Sequence, residues 1–161
     1  LVHLHTETFS GVSSVRVDDV FSSIYRDYRI VFTYTPTTSQ EMLLRMRASG
    51  TDTTGTGYGS QRMEANAGAP GAYSALNTDA FRIGYAPISH DQFLMVDLIR
   101  PQESNETDLF SSGIRYASSS GIYVQSTAGK LDDSAQYDGF TLLVSSGTIT
   151  GSIRIYGYRN N

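Results

Sequence analysis

The chain has no cysteine, no tryptophan and a single lysine, Lys130. Without cysteine there are no disulfides and no thiolate metal sites, and redox chemistry says nothing about compartment. Long apolar runs are missing too, so no segment is expected to cross a membrane as a helix. No signal-peptide pattern opens the chain. It begins at Leu1 rather than Met, which predicts a fragment or a processed product. A basic face is also absent: the net charge of -4 and the pI near 5.2 argue against a nucleic-acid partner. Helical periodicity is nearly absent as well.

What remains is a β pattern rich in tyrosine and arginine. There are 11 Tyr, a residue suited to half-buried strand faces and contact surfaces. All but one of the 12 basic residues are Arg, which favours fixed, planar ion pairs, although a GC-rich genome produces the same bias. Alternating runs separated by Gly, Ser, Thr, Asn and Asp predict strands near Val12–Val17, Arg29–Thr35, Met42–Ala48, Phe81–Tyr85 and Phe93–Ile99. Four more are expected near Leu109–Ala117, Ile122–Ser126, Phe140–Ser145 and Ser152–Tyr158. Phe21, Ile24, Tyr25 and Tyr28 have the spacing of one helical turn. Many short strands with turn signals between them predict an all-β antiparallel β-sandwich, a jelly roll, as one domain over residues 1–161.

Two stretches stand out within that pattern. "FLMVDLI" (93–99) is apolar on both faces, which predicts a strand lying mid-sandwich or under a partner subunit, with Asp97 held by an arginine. Residues 50–78 look irregular, a long polar loop with a weak strand near Ser60–Ala65, and such loops on rigid scaffolds carry function. There, Tyr58 and Tyr73 are expected as aromatic platforms for a sugar, with Gln61, Arg62, Asn66 and Asn77 as its hydrogen-bonding groups. A solvated loop or a strap onto a neighbouring subunit is the competing reading.

Enzymatic signatures do not survive inspection. His3 and His5 share a strand face, but two ligands make no metal site, and polar strand positions explain them. "SHD" (89–91) cannot form a triad from adjacent residues. Asp18–Asp19 and Asp132–Asp133 read as turns rather than calcium ligands. "NET" (105–107) matches a glycosylation acceptor without a secretory context. "GTGYG" lacks the strand-to-helix setting of a phosphate loop, and no pair of carboxylates is singled out for glycoside hydrolysis. No cofactor, metal or catalytic residue is expected.

Four stretches carry a resemblance: "LVHLHTETFSGVSSVRVDDVF", "SSIYRDYRIVF", "LLRMRASGTD" and the closing "SGTITGSIRIYGYRN". They are similar to a recurring β-rich domain of tailed-bacteriophage structural proteins, found in tail fibres, tail tips and head fibres or decoration proteins. The matching positions are Phe21, Tyr25, Tyr28, Arg45, Arg47, Gly50, Gly151, Ile153, Ile155, Tyr156 and Gly157. The resemblance spans both ends, while residues from about Thr51 to Thr107 match only in being variable. It implies a non-enzymatic structural or adhesion module on the virion exterior, recognising host-surface glycans and contacting other virion proteins, with no nucleic acid and no membrane insertion. It also implies a homotrimer. Phe93 and Met95, with Arg154, Tyr156 and Tyr158 on the outward face of the last strand, are the expected subunit interface. The alternatives are a capsid decoration or head-fibre domain attached to the shell, and behind it a glycan-active depolymerase module.

Overall fold

Alternation of apolar and polar residues sends successive side chains to opposite faces of a strand, and two such half-apolar sheets bury their carbon against each other. The computed structural model describes residues 1–65, 69–88, 90–117 and 121–159. Among the described residues thirteen strands form: β1 (Val2–Val12), β2 (Ser14–Val17), β3 (Asp27–Pro36), β4 (Gln40–Ala48), β5 (Thr51–Asp52), β6 (Tyr58–Ala65) and β7 (Pro70–Thr78). Then follow β8 (Phe81–Ala86), β9 (Gln92–Ile99), β10 (Thr107–Ala117), β11 (Gly121–Leu131), β12 (Gly139–Val144) and β13 (Ile149–Gly157).

One sheet has eight strands in the order β1-β13-β3-β9-β10-β11-β6-β7. The other runs β2-β12-β4, with β5 and β8 both pairing with β4. All pairings are antiparallel, and the chain passes back and forth between the sheets as it does in a jelly roll. The protein is an all-β antiparallel β-sandwich, with no helix among the described residues. Its core packs Tyr28, Ile30 and Phe32 of β3, Leu94, Val96 and Leu98 of β9 and Ile153 and Ile155 of β13 against Met42, Leu44, Met46, Phe81, Phe140 and Leu142.

The helical spacing at 21–28 has another cause. The Tyr28 hydroxyl takes both backbone groups of Ser22, at 2.6 Å each, and the Val20 and Phe21 amides donate to the Asp138 carbonyl. Phe21 meets Tyr28 and Phe140 at ring distances of 4.6 and 5.9 Å. These aromatics hook a loop onto the core instead of lining a helix. Tyr25 lies over Gly157, where an added Cβ would sit 2.5 Å from its ring, so the closing strand needs a glycine at that point.

Two further expectations change. "FLMVDLI" is not mid-sandwich: Leu94, Val96 and Leu98 are buried, while Phe93 is exposed and Met95, Asp97 and Ile99 are half-buried on the outer side. Asp97 does have its arginine, with Arg29 Nε and Nη2 donating to its two oxygens at 2.7 Å each. Residues 50–78 are strand for the most part: the strand expected near Ser60–Ala65 is present as β6, with β5 before it and β7 after it. β6 and β7 form a hairpin that closes the free edge of the larger sheet.

Candidate functional site

The larger sheet is wider than the smaller one: its strands β10, β11 and β6 pack over the edge strand β8, and β7 overhangs it. Under the overhang the inward-facing residues are no longer apolar. Ser60, Arg62 and Glu64 of β6 and Arg115 of β10 turn inward and are buried. Burying these charges requires partners, and each has one. Arg62 Nη1 and Nη2 donate to the two carboxylate oxygens of Glu41, on β4, at 2.7 and 3.2 Å. Arg62 Nε lies 3.8 Å from Glu64 Oε2, and Arg115 Nη2 donates to Glu64 Oε1 at 2.9 Å. The result is a ladder, Glu41–Arg62–Glu64–Arg115, with no net charge.

Aromatic rings enclose the ladder. The Arg62 guanidinium lies 4.7 Å from the Tyr73 ring centre, and that of Arg115 lies 4.0 Å from Tyr123 and 5.1 Å from Tyr85. Gln125 completes the wall. Its Oε1 accepts from the Tyr85 amide at 2.9 Å and its Nε2 donates to the Tyr85 carbonyl at 3.2 Å. The Tyr73 phenol is held above its ordinary pKa, first by its hydrogen bond with Glu64 and then by the charge of that carboxylate. Arg62 Nε, Arg115 Nε and Glu64 Oε2 are buried without a hydrogen bond.

A cleft of about 320 Å³ opens onto this ladder, with Glu41, Ser60, Arg62, Tyr73, Ser74 and Arg82 as its polar and aromatic lining. Tyr73 exposes 49% of its surface at the mouth. Arg82 is exposed and has no ion pair among the described residues, so it adds one uncompensated positive charge. A second, larger groove of about 610 Å³ lies on the outer side of the sheet, beside Phe93, Ile114 and Tyr116, and is lined mainly by carbon. The cleft gathers buried donors and acceptors around an accessible ring.

Of the six residues expected to bind a ligand, the cleft unites Arg62 and Tyr73. Tyr58 is a correction. It is fully buried, packs edge-on against Phe81 at 4.9 Å, accepts a hydrogen bond from the Met46 amide and donates one to the Thr53 carbonyl, each 3.0 Å. It is a core strut and offers no platform to a sugar. Gln61 points to the opposite side of β6 and is exposed there, and Asn77 lies exposed near the end of β7 with a φ of 55°. Neither reaches the cleft lining. Asn66 lies outside the described residues.

Residues that sequence reasoning missed are Glu41, Glu64, Tyr85, Arg82 and Arg115. The strand alternation of β6 contains a signal for one of them, since Arg62 and Glu64 occupy the same face as buried Tyr58.

The five residues expected at a subunit interface all lie on the outer side of the larger sheet. Phe93 and Met95 are in mid-sheet on β9. Tyr158 donates to Asp97 Oδ1 at 2.8 Å and its ring lies 5.4 Å from the Arg29 guanidinium. Burial, then that hydrogen bond, pushes its phenol pKa up to about 12. Tyr156 packs edge-on against His3, and Arg154 is exposed near the sheet's β1 side. Among the described residues no cluster of three or more His, Cys, Asp or Glu could hold a metal ion.

No protein-family profile and no curated protein matches the chain. Among solved structures it is similar to the galectin LEC-6 of Caenorhabditis elegans, with a TM-score of 0.39 and 9% identity over 94% of this chain and 95% of that one.

Proposed function

We propose that this chain is a non-enzymatic adhesion module on the exterior of a tailed-phage virion, assembled as a homotrimer and holding host-surface glycans in the overhang cleft. The observation that carries the glycan part is the neutral ladder Glu41–Arg62–Glu64–Arg115 beneath a half-exposed Tyr73. Sugar hydroxyls both donate and accept, and a ladder of paired charges offers them acceptors and donors together, while the ring meets the apolar side of a pyranose. Arg82 adds the preference: a carboxylate-bearing sugar should bind more tightly than its neutral counterpart.

Glu41, which lines the cleft, and Glu64 behind it are both committed to guanidinium groups. That arrangement favours holding a saccharide over cleaving it and speaks against the depolymerase alternative. The virion part rests on the resemblance. Its shared Phe21, Tyr25, Tyr28 and Gly157 are the residues that lock the first crossover to the closing strand.

Retention of host polysaccharide by the purified chain tests the proposal. Tyr73→Ala and Arg82→Ala should each weaken retention about tenfold, the scale of one charge-assisted hydrogen bond or one stacked ring, and Arg82→Ala should do so without changing the melting temperature. Gln61→Ala and Asn77→Ala should leave binding unchanged. Full retention in the first two variants would place the site elsewhere, and release of new reducing ends would overturn the non-enzymatic reading. Immunogold labelling of intact particles separates head from tail.

A further inference from the structure

The outer side of the larger sheet is unusually rich in carbon. β10 presents Phe110, Ile114 and Tyr116 outward, β11 presents Ile122 and Val124, and Phe93, Met63 and Leu76 flank them on β9, β6 and β7. The register makes this one surface: Phe93, Ile114 and Val124 lie in a row across three neighbouring strands, and Tyr116 stands beside Ile122 in the next row. Each of the eight leaves between 41% and 70% of its surface in water. At roughly 150–250 Å² per large side chain, that is on the order of 700 Å² of apolar area. The largest patch on an ordinary monomer is about 300–600 Å², and a standard interface buries about 800 Å² per partner.

We infer that this face is where copies of the chain meet, turned toward a shared symmetry axis. The inference deepens the homo-oligomer part of the proposed function and rests on it. Charge identifies the occupant. Most ionic groups on and beside the face are paired within the chain: Arg29 with Asp97, Arg100 with Asp108, and Lys130 with Glu106; Asp91, exposed at the rim beside Phe93, accepts a hydrogen bond from the Thr35 hydroxyl. Arg154, exposed and without an ion pair among the described residues, lies two strands away from β9. A face built for a different protein gains register and selectivity from unpaired charge matched by that partner. Where copies meet around a symmetry axis, residues close to the axis approach their own equivalents, so an unpaired charge there repels itself. Carbon and hydroxyls do not, and Ser112 and Ser126, directly opposite each other in the register, occupy the middle of this face.

The test uses the absence of cysteine. Sedimentation equilibrium of the 161-residue chain should give an oligomer at micromolar concentration. The combined variant Ile114→Thr, Ile122→Thr and Val124→Thr, which keeps β-branched residues in both strands, should raise the dissociation constant by about a hundredfold or more. It should still retain polysaccharide. Because the triple variant could fail to fold, a second measurement stands apart from it. Ser112→Cys in the otherwise unchanged chain should resist maleimide at high concentration and react on dilution. Arg16→Cys, exposed on β2 of the other sheet, should react at both. A monomeric parent chain overturns the inference, as does an oligomer in which Ser112→Cys labels freely. Loss of assembly with glycan retention intact supports it. Assembly through this face in a chain that retains no glycan supports it too, and sinks only the glycan part of the proposed function.

Discussion

The Tyr58 hydroxyl is the most sharply testable atom in the fold. It accepts from the Met46 amide in β4 and donates to the Thr53 carbonyl beyond β5, both at 3.0 Å, inside a fully buried side chain. Tyr58→Phe keeps the ring and its edge contact with Phe81 while deleting one oxygen. The Met46 amide then loses its partner in a buried setting, which costs about 1–3 kcal/mol, and the bond to Thr53 contributes about 1 kcal/mol more. The sum is about 3 kcal/mol. For a domain of this size each kcal/mol moves the melting temperature by about 2–4 °C, so a fall of about 6–12 °C is expected. Urea unfolding should show a lower midpoint with an unchanged slope, since the surface exposed on unfolding stays the same. A variant within about 0.5 kcal/mol of the parent chain would refute the reasoning. It would mean that water or a backbone shift replaces the hydroxyl, and that Tyr58 does not tie the β4–β5 corner to β6.

Arg47 is buried and reaches Asp18, Asp52, the Gly50 carbonyl and the Thr141 hydroxyl, so Arg47→Met should destabilise by about 3 kcal/mol, the lower end for a broken buried pair, because Asp18 is well exposed; a urea midpoint shift equivalent to less than about 1 kcal/mol would count against this. Burial holds the Tyr28, Tyr34, Tyr58, Tyr137 and Tyr158 phenols above their ordinary pKa of 10.0. The folded chain therefore keeps protons that the unfolded chain releases, and stability is level below pH 10.0 and falls as pH rises from there through 12, where Tyr158 ionises in the folded chain. Tyrosinate absorbance should rise together with unfolding, and smooth titration of these phenols on a folded chain would refute it.

Much of the sandwich was legible because most strands alternate cleanly. Ile30, Phe32 and Tyr34, or Met42, Leu44 and Met46, announce both strand and face. β7, "PGAYSALNT", did not announce itself: it has low β propensity and little burial, and its register with β6 defines it. β1 was anticipated only in part, because an edge strand half-buries Leu4, Phe9 and Val12 and leaves its other face polar. The arginine bias did carry meaning, since Arg26, Arg29, Arg45, Arg47, Arg62, Arg100 and Arg115 all hold carboxylates. Partner identity was another matter. Glu41 is 21 residues from Arg62, and Glu64 is 51 from Arg115. Nothing local marks such pairs, so Arg62 and Tyr73 could be singled out from sequence while the ladder they belong to could not. Tyr58 misled because in a glycine-rich stretch it looked exposed, whereas its ring packs against Phe81 and its hydroxyl takes the Met46 amide of β4.

The pairing of β1 with β13 has a mechanical side. Val2 stands opposite Gly157 and Val12 opposite Ile149, so Leu1 and Arg159 emerge side by side at one end of the same antiparallel ladder. A pull that separates these two points does not load the rungs all at once. It concentrates on the rung between Val2 and Gly157 and, once that parts, moves to the next, peeling β1 away toward Gly11 and Thr150. β13 would still be held by β3 on its other side, and the core behind it would remain closed. A push or drag on the broad faces meets many rungs acting in parallel. The same fold is therefore compliant when tugged by its ends and stiff when pressed on its faces.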